Sequence, residues 1–415
     1  MNAMDIRLRH IALMVMTALM IAACSHSSDS TSGGEDPVPE PVPIAVGFSA
    51  SVADDATSDA GTNATRAAGD GELTTTELRE KGFGVYCWYT GTTDVVFSDV
   101  KETTPAAHIS TYSQTMLMRN QKVEYASSKW TYSPDKYWPL NPAEKLTFRA
   151  YAPYTDYLVT DAKGMPQLPV VVDAADYHNG NQHDPLWGTG KHDGTVDGDD
   201  ALTDNEVYGK LYNNYTYQMS GSLLAKDSRD GTIDWYFHHG MAKIVFYAKL
   251  GETGYTGPVT ITKITLEHLY NRGLLDVGSS TESASDKPIW TDRAGDMTVE
   301  LVGDNADASK IDLDAFEIDY DEHNDDNYTL LTNNGLLIIP RNFGSGDKLK
   351  LTVEFLTYEG REASMSTEIA QEFFGNTVYT FNMTVSNALS VEINSIHAAF
   401  KTWTEREEDH EVYNW

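Results

Sequence analysis

The sequence predicts an all-β protein built from β-sandwiches. Three observations carry this. Apolar residues recur at every second position in many short segments, helical periodicity is scarce, and Gly, Asn, Asp and Pro clusters separate the segments. With 415 residues the chain has room for two ordinary domains and a tether.

At the N-terminus, Arg7 and Arg9 precede the uncharged apolar run Ile11 to Ala23. That run has the length of a signal-peptide core and is too short to span a bilayer, which needs roughly 20 apolar residues. It ends in Ile21-Ala22-Ala23-Cys24, which resembles the lipobox of bacterial lipoproteins. The resemblance implies removal of residues 1–23 and acylation of Cys24 with palmitate-type chains; the alternative is an ordinary secretory signal with a chance cysteine. Two or more such chains suffice for stable anchoring, here expected in the cell outer membrane. Residues 24–43 are rich in Ser, Gly and Pro and read as a semi-extended tether.

The first strand follows directly. Ile44, Val46, Phe48, Ala50 and Val52 alternate with small residues, the pattern of a half-buried strand. Residues 53–72 revert to Ala, Asp, Gly, Thr and Ser, so the strand stands isolated between polar segments. Arg66 is the only Lys or Arg between Arg9 and Arg79. Thr74 to Lys81 is the best helical candidate.

Further strands are expected at 83–89, 116–125, 146–151, 235–250, 259–269, 297–302 and 328–339. Leu349 to Phe355, Tyr379 to Val385 and Leu389 to Ile393 alternate cleanly. A polar stretch at 225–231 places a domain boundary near 226, giving an N-terminal domain at 67–226 and a C-terminal domain at 227–415.

Composition excludes several functions. Acidic residues outnumber basic ones by 62 to 30, a formal charge of −32, and such a surface repels phosphate backbones, so no nucleic acid is expected as a partner. Of two cysteines, lipidation consumes Cys24 and leaves Cys87 without a partner, so no disulfide framework is expected. Gly-x-Ser-x-Gly, His-Glu-x-x-His, Cys-x-x-Cys and phosphate-loop motifs are lacking, so the chain does not read as an enzyme, and no cofactor is expected.

Weaker candidates for ligand chemistry exist. Asp193, Thr195, Asp197, Gly198 and Asp204 fall on positions 1, 3, 5, 6 and 12 of a calcium-loop template, although Asp replaces the bidentate Glu. The alternative is a solvated acidic insertion. His178, His183 and His192 lie among several Asp residues and are a further metal candidate against ordinary loop histidines. Tyr212, Tyr215 and Tyr217 are candidates for stacking on a sugar, or simply strand aromatics.

Several motifs in order resemble the fimbrillin family, the lipoprotein subunits of type V pili. They are Phe83-Gly84-Val85-Tyr86, then Trp130-Thr131-Tyr132, Tyr137-Trp138-Pro139 and Leu146-Thr147-Phe148-Arg149-Ala150-Tyr151-Ala152-Pro153. Asp184-Pro185-Leu186-Trp187-Gly188 is similar to the turn that follows, with Pro185 as a departure. Phe237-His238-His239 to Lys243, Leu336 to Pro340 and Tyr379-Thr380-Phe381 resemble later core strands, with His239 read as a packed, hydrogen-bonded residue.

The resemblance implies two transthyretin-like β-sandwich domains in tandem. It also implies that residues 44–66 form a displaceable strand and cleavable linker. On that reading Ile44, Val46, Phe48 and Val52 fill a groove until an arginine-specific protease cuts between Arg66 and Ala67. Another pilin subunit then supplies a replacement strand, the fimbrium adheres to cells, and a host or glycan ligand is a further partner. Residues 44–66 also read as an ordinary first strand and its loop. Leu389 to Trp403 is a candidate donor strand, but the charged run Thr404 to His410 suits a tip or accessory subunit better than a stalk subunit. Val412 to Trp415 reads alternatively as a last short strand. The alternative to a pilus subunit is a lipid-anchored, non-polymerising module that binds glycans or host surfaces.

Overall fold

The computed structural model describes residues 43–52, 73–92, 116–161, 165–191, 208–212, 214–217, 230–250, 259–277, 289–302, 311–313, 329–330, 335–344, 346–357, 359–386 and 390–400. The described residues are mostly strand, as the alternating segments predict, and the strands, numbered along the chain, form four sheets. The largest contains β1 (Gly47–Val52), β2 (Phe83–Gly91), β3 (Met116–Ala126), β4 (Lys129–Thr131), β5 (Lys145–Ala152), β8 (Leu186–Lys191), β9 (Tyr208–Lys210) and β10 (Thr232–His239). Its order is β1-β10-β8-β5-β2-β3-β4, with β9 on β8. The two ends of that order curl together, so that β1 packs near β4. The space enclosed is a core of Phe83, Val85, Phe148, Ile233, Trp235 and Phe237, among others.

The C-terminal part is a two-sheet sandwich. One sheet holds β11 (Ala242–Leu250), β17 (Thr329–Leu330), β18 (Leu336–Ile338), β21 (Thr377–Ser386) and β22 (Ser390–Phe400). The other holds β12 (Val259–Leu269), β15 (Met297–Val302), β16 (Ile311–Leu313), β19 (Leu349–Leu356) and β20 (Glu362–Ile369). Ile244, Phe246, Ile264, Leu266, Val353 and Phe381 interdigitate between them.

A fourth sheet joins both halves of the chain. In it β6 (Val159–Thr160) and β7 (Pro166–Val171) pair with β13 (Arg272–Asp276) and β14 (Trp290–Ala294) in the order β14-β13-β7-β6. It packs on the outer face of β2 and β5 through Tyr86, Trp88, Tyr151, Leu168, Leu275 and Trp290. Arg149 is fully buried on that face of β5, where desolvation lowers its guanidinium to about 10 while Asp276 of β13 counters the shift.

The helix expected after Thr74 is α1 (Thr75–Lys81), held by a capping box between Thr74 and Glu77 and docked through buried Leu78. A second short helix, α2 (Ala174–His178), was not anticipated; Asp173 caps it and Tyr177 anchors it. Among the described residues no helix is long and apolar enough to cross a membrane.

The apolar run around β10 and β11 differs from its expectation. The apolar run expected as one strand at 235–250 is two strands, broken at Gly240-Met241, where the chain passes from one sheet to another. β10, expected within the 227–415 segment, hydrogen-bonds to β8 and lies in the same sheet as the strands before it. The described part of the run expected at 328–339 holds β17 and β18, both paired with β11.

Candidate functional site

The site is the slot that holds β1. Its inward residues follow from the alternation: Val46, Phe48 and Val52 are buried, and Ile44 and Ala50 pack partly buried against the same core. Phe48 meets three rings, those of Tyr132, Phe83 and Phe148, at centroid distances of 5.3, 6.1 and 6.5 Å. Burying Val46, Phe48 and Val52 contributes roughly 1.5–3 kcal/mol each as an upper estimate. Against a typical domain stability of about 5–15 kcal/mol, that is a large share.

Backbone pairing holds β1 along one edge and the residues just before it, 44–46, along the other. Along one edge it runs parallel to β10, from Gly47 opposite Thr232 to Val52 opposite Phe237. Along the other, the Val46 amide donates to Lys136 O (2.8 Å) and the Trp138 amide donates to Ile44 O (2.9 Å). Side chains close what remains. The Tyr132 hydroxyl donates to Val46 O at 2.8 Å, and burial pushes its phenol up to about 12, against the lowering effect of a backbone hydrogen bond at Lys136.

Gly231 anchors the start of the slot. Its carbonyl accepts from both the Gly47 amide (3.0 Å) and Trp138 Nε1 (2.8 Å). Its φ is +83°, and a Cβ there would lie 2.7 Å from Ala45 O, so only glycine fits. Downstream of β1, the chain leaves and returns at nearly one place. The Val52 amide donates to Thr75 Oγ1 at 2.9 Å, and the Leu73 amide donates to Asp184 Oδ2 at 3.4 Å. Segment 53–72 thus joins two neighbouring points.

Asp184 also pairs with His239 Nδ1 in a buried contact, and the His239 amide donates to Asn376 Oδ1 at 3.1 Å. His239 is therefore packed and hydrogen-bonded, as expected.

Of the residues expected to act, Ile44, Val46, Phe48 and Val52 come together in this slot. Cys24, Arg66, Ala67, Asp193, Asp197, Asp204 and His192 lie outside the described residues. His178 and His183 join no group of three or more metal-capable side chains among the described residues. The sugar-stacking candidates are corrected. Tyr212 and Tyr215 are buried in the N-terminal core, and Tyr217 packs half-buried against it, so their faces contact Trp235, Trp138 and one another. Cys87 is a buried free thiol whose pKa burial raises. The sequence reading overlooked Thr75, Gly231 and Asp234 as contacts of β1. It included Tyr132 and Trp138 in motifs without their role.

The order of those motifs around a curled N-terminal sheet now meets an independent comparison. The family description "Fimbrillin-like" matches residues 65–403. The chain belongs to the fimbrillin-like family. Among solved structures, this fimbrillin-like chain resembles a fimbrial protein from Bacteroides vulgatus at 18% identity and a TM-score of 0.52. That match covers 87% of this chain and 100% of the other. A C-terminally truncated tip fimbrial protein, Mfa3 from Porphyromonas gingivalis, aligns at 12% identity and a TM-score of 0.37, over 87% of this chain and 100% of that one. The likeness to the first shows a shared fold. No curated protein matches this fimbrillin-like chain.

Proposed function

We propose that this fimbrillin-like protein is a lipid-anchored surface subunit of a fimbrium, structural or at the tip, in which β1 is a displaceable strand. The single observation that carries the reading is the seating of β1. It fills an apolar slot and pairs with β10, residues 44–46 before it pair with 136–138, and its last residue, Val52, hydrogen-bonds to Thr75 at the start of α1. Cutting that linker leaves β1 held by non-covalent contacts alone. The emptied slot would expose apolar residues and unpaired β10 backbone, a template for strand addition. Arg66, with Ala67 after it, is the processing point of this reading, and Cys24 its lipid anchor in the outer membrane.

Limited digestion of the lipid-free chain with an arginine-specific protease tests this, followed by intact mass and size-exclusion chromatography. The expected result is one cut after Arg66, with release of β1 and formation of assemblies once a donor subunit is present. Resistance at Arg66, or retention of β1 after the cut whatever donor is added, would sink strand exchange.

A second reading, a non-polymerising module that binds a host or glycan surface, is favoured by one observation. The C-terminal strand β22 is paired along its length with β21, from Ser390 opposite Ser386 to Phe400 opposite Thr377. A strand so engaged is not free to serve a neighbour. In that case β1 stays seated and the protein remains monomeric under every condition above.

A further inference from the structure

The slot has an outer face as well as an apolar one. Gly47 and Ser49 point away from the core, beside Thr232 and Asp234 of β10. A Cβ at position 47 would lie 2.9 Å from Thr232 Oγ1, so the space beside Thr232 suits a residue with no side chain. Two residues on, the Ser49 hydroxyl donates to Asp234 Oδ1. Asp234 therefore faces a hydrogen-bond donor and would repel a carboxylate.

This chain's own C-terminal strand does not fit that template. No glycine follows Gly375, so in either direction of insertion every register brings a side chain against Thr232. The register that brings Phe400 into the Phe48 pocket sets Ala399 against Thr232 and places Thr404 where Val52 is 1% exposed, burying a hydroxyl in an apolar pocket. Registers built on Val391 and Ile393 put Glu392 on the outer face of a strongly acidic chain.

We propose that Thr232 and Asp234 make the β1 slot selective. It admits a strand from a different subunit, bearing glycine and then a hydroxyl donor two residues later on its outer face, and it refuses a second copy of this chain. This rests on the strand-exchange reading above. Thr232 and Asp234 act as specificity determinants, while the apolar pockets supply the bulk of the attraction.

The test uses the full chain with a site-specific protease sequence substituted into residues 53–66, nicked between β1 and α1. A labelled peptide of residues 43–52 is offered to it, then peptides with Gly47→Val or Ser49→Glu, then a peptide of residues 389–404. The native 43–52 peptide should enter and displace the nicked strand. Each substituted peptide should bind about tenfold or more weakly, the size expected from overpacking or like charge in a closed site. The 389–404 peptide should fail to compete at concentrations that saturate the first. In Thr232→Ala the Gly47→Val peptide should recover, and in Asp234→Asn the Ser49→Glu peptide should recover, a pairwise rescue that general destabilisation does not give. Equal competition by the 389–404 peptide would overturn the selectivity and leave strand exchange standing. Undiminished binding of both substituted peptides would do the same. If the native 43–52 peptide never enters the nicked chain, strand exchange fails and this inference fails with it.

Discussion

The phenol of Tyr132 donates to the main-chain carbonyl of Val46, 86 residues earlier in the chain, at 2.8 Å. This contact ties the first strand to the turn after β4, and Phe48 packs on the same ring. Tyr132→Phe keeps the ring and removes the donor. It should loosen β1 by about 1 kcal/mol, the usual worth of one hydrogen bond, read as faster release of β1 from nicked protein.

The same phenol gives a pH signature. Burial raises it from 10.0 to about 12, so the seated form holds its proton over a range in which the freed form has lost it. Its contribution is therefore complete below about pH 10 and is lost as pH rises through about 12. Release of β1 should accelerate across that window. Comparison with Tyr132→Phe isolates this residue from the other buried tyrosines, and an identical pH profile in the variant would exclude the assignment.

Phe48→Ala should weaken β1 most among single changes in the strand. Truncating a buried phenylalanine costs about 3–5 kcal/mol, and Phe48 loses contact with three rings at once. In the intact chain the denaturation midpoint should fall, and in the nicked chain β1 should dissociate without a competitor.

Gly231→Ala tests the anchor at the start of the slot. At φ +83° and with Ala45 O 2.7 Å from the new Cβ, the substitution strains the backbone and pushes β1 away. The expected loss is about 1–3 kcal/mol of stability, measured by chemical denaturation. A neutral result would mean that β1 does not approach Gly231 as described.

Asp184→Ala removes the buried partner of His239 and the acceptor of the Leu73 amide. Leaving a buried donor without its acceptor costs about 1–3 kcal/mol. Global stability should fall by that order. Near-native thermal melting would show that the pair contributes little.

What the amino-acid sequence determined was local. Alternation at Val46, Phe48 and Val52 was enough to mark β1 and its buried face, since a period of two admits only one inward set. The capping residues Thr74 and Glu77 marked α1 in the same way, and strands such as Val259–Leu269 and Met297–Val302 ended where the pattern ended. Polar or very short strands escaped. Glu362–Ile369 buries one residue fully and pairs through its backbone, which leaves little hydrophobic trace.

Partners were decided only by tertiary structure. The 235–250 run divides at Gly240-Met241 because its two halves join different sheets, a choice invisible in a continuous apolar pattern. Likewise β7 meets β13 across a long stretch of chain, and β1 runs parallel to β10. Gly231 and Asp234 touch β1 because β10 pairs beside it, and Tyr132 reaches it because the sheet curls. Periodicity specifies which face of a strand is buried, whereas hydrogen bonds between distant strands depend on which apolar faces close over a common core.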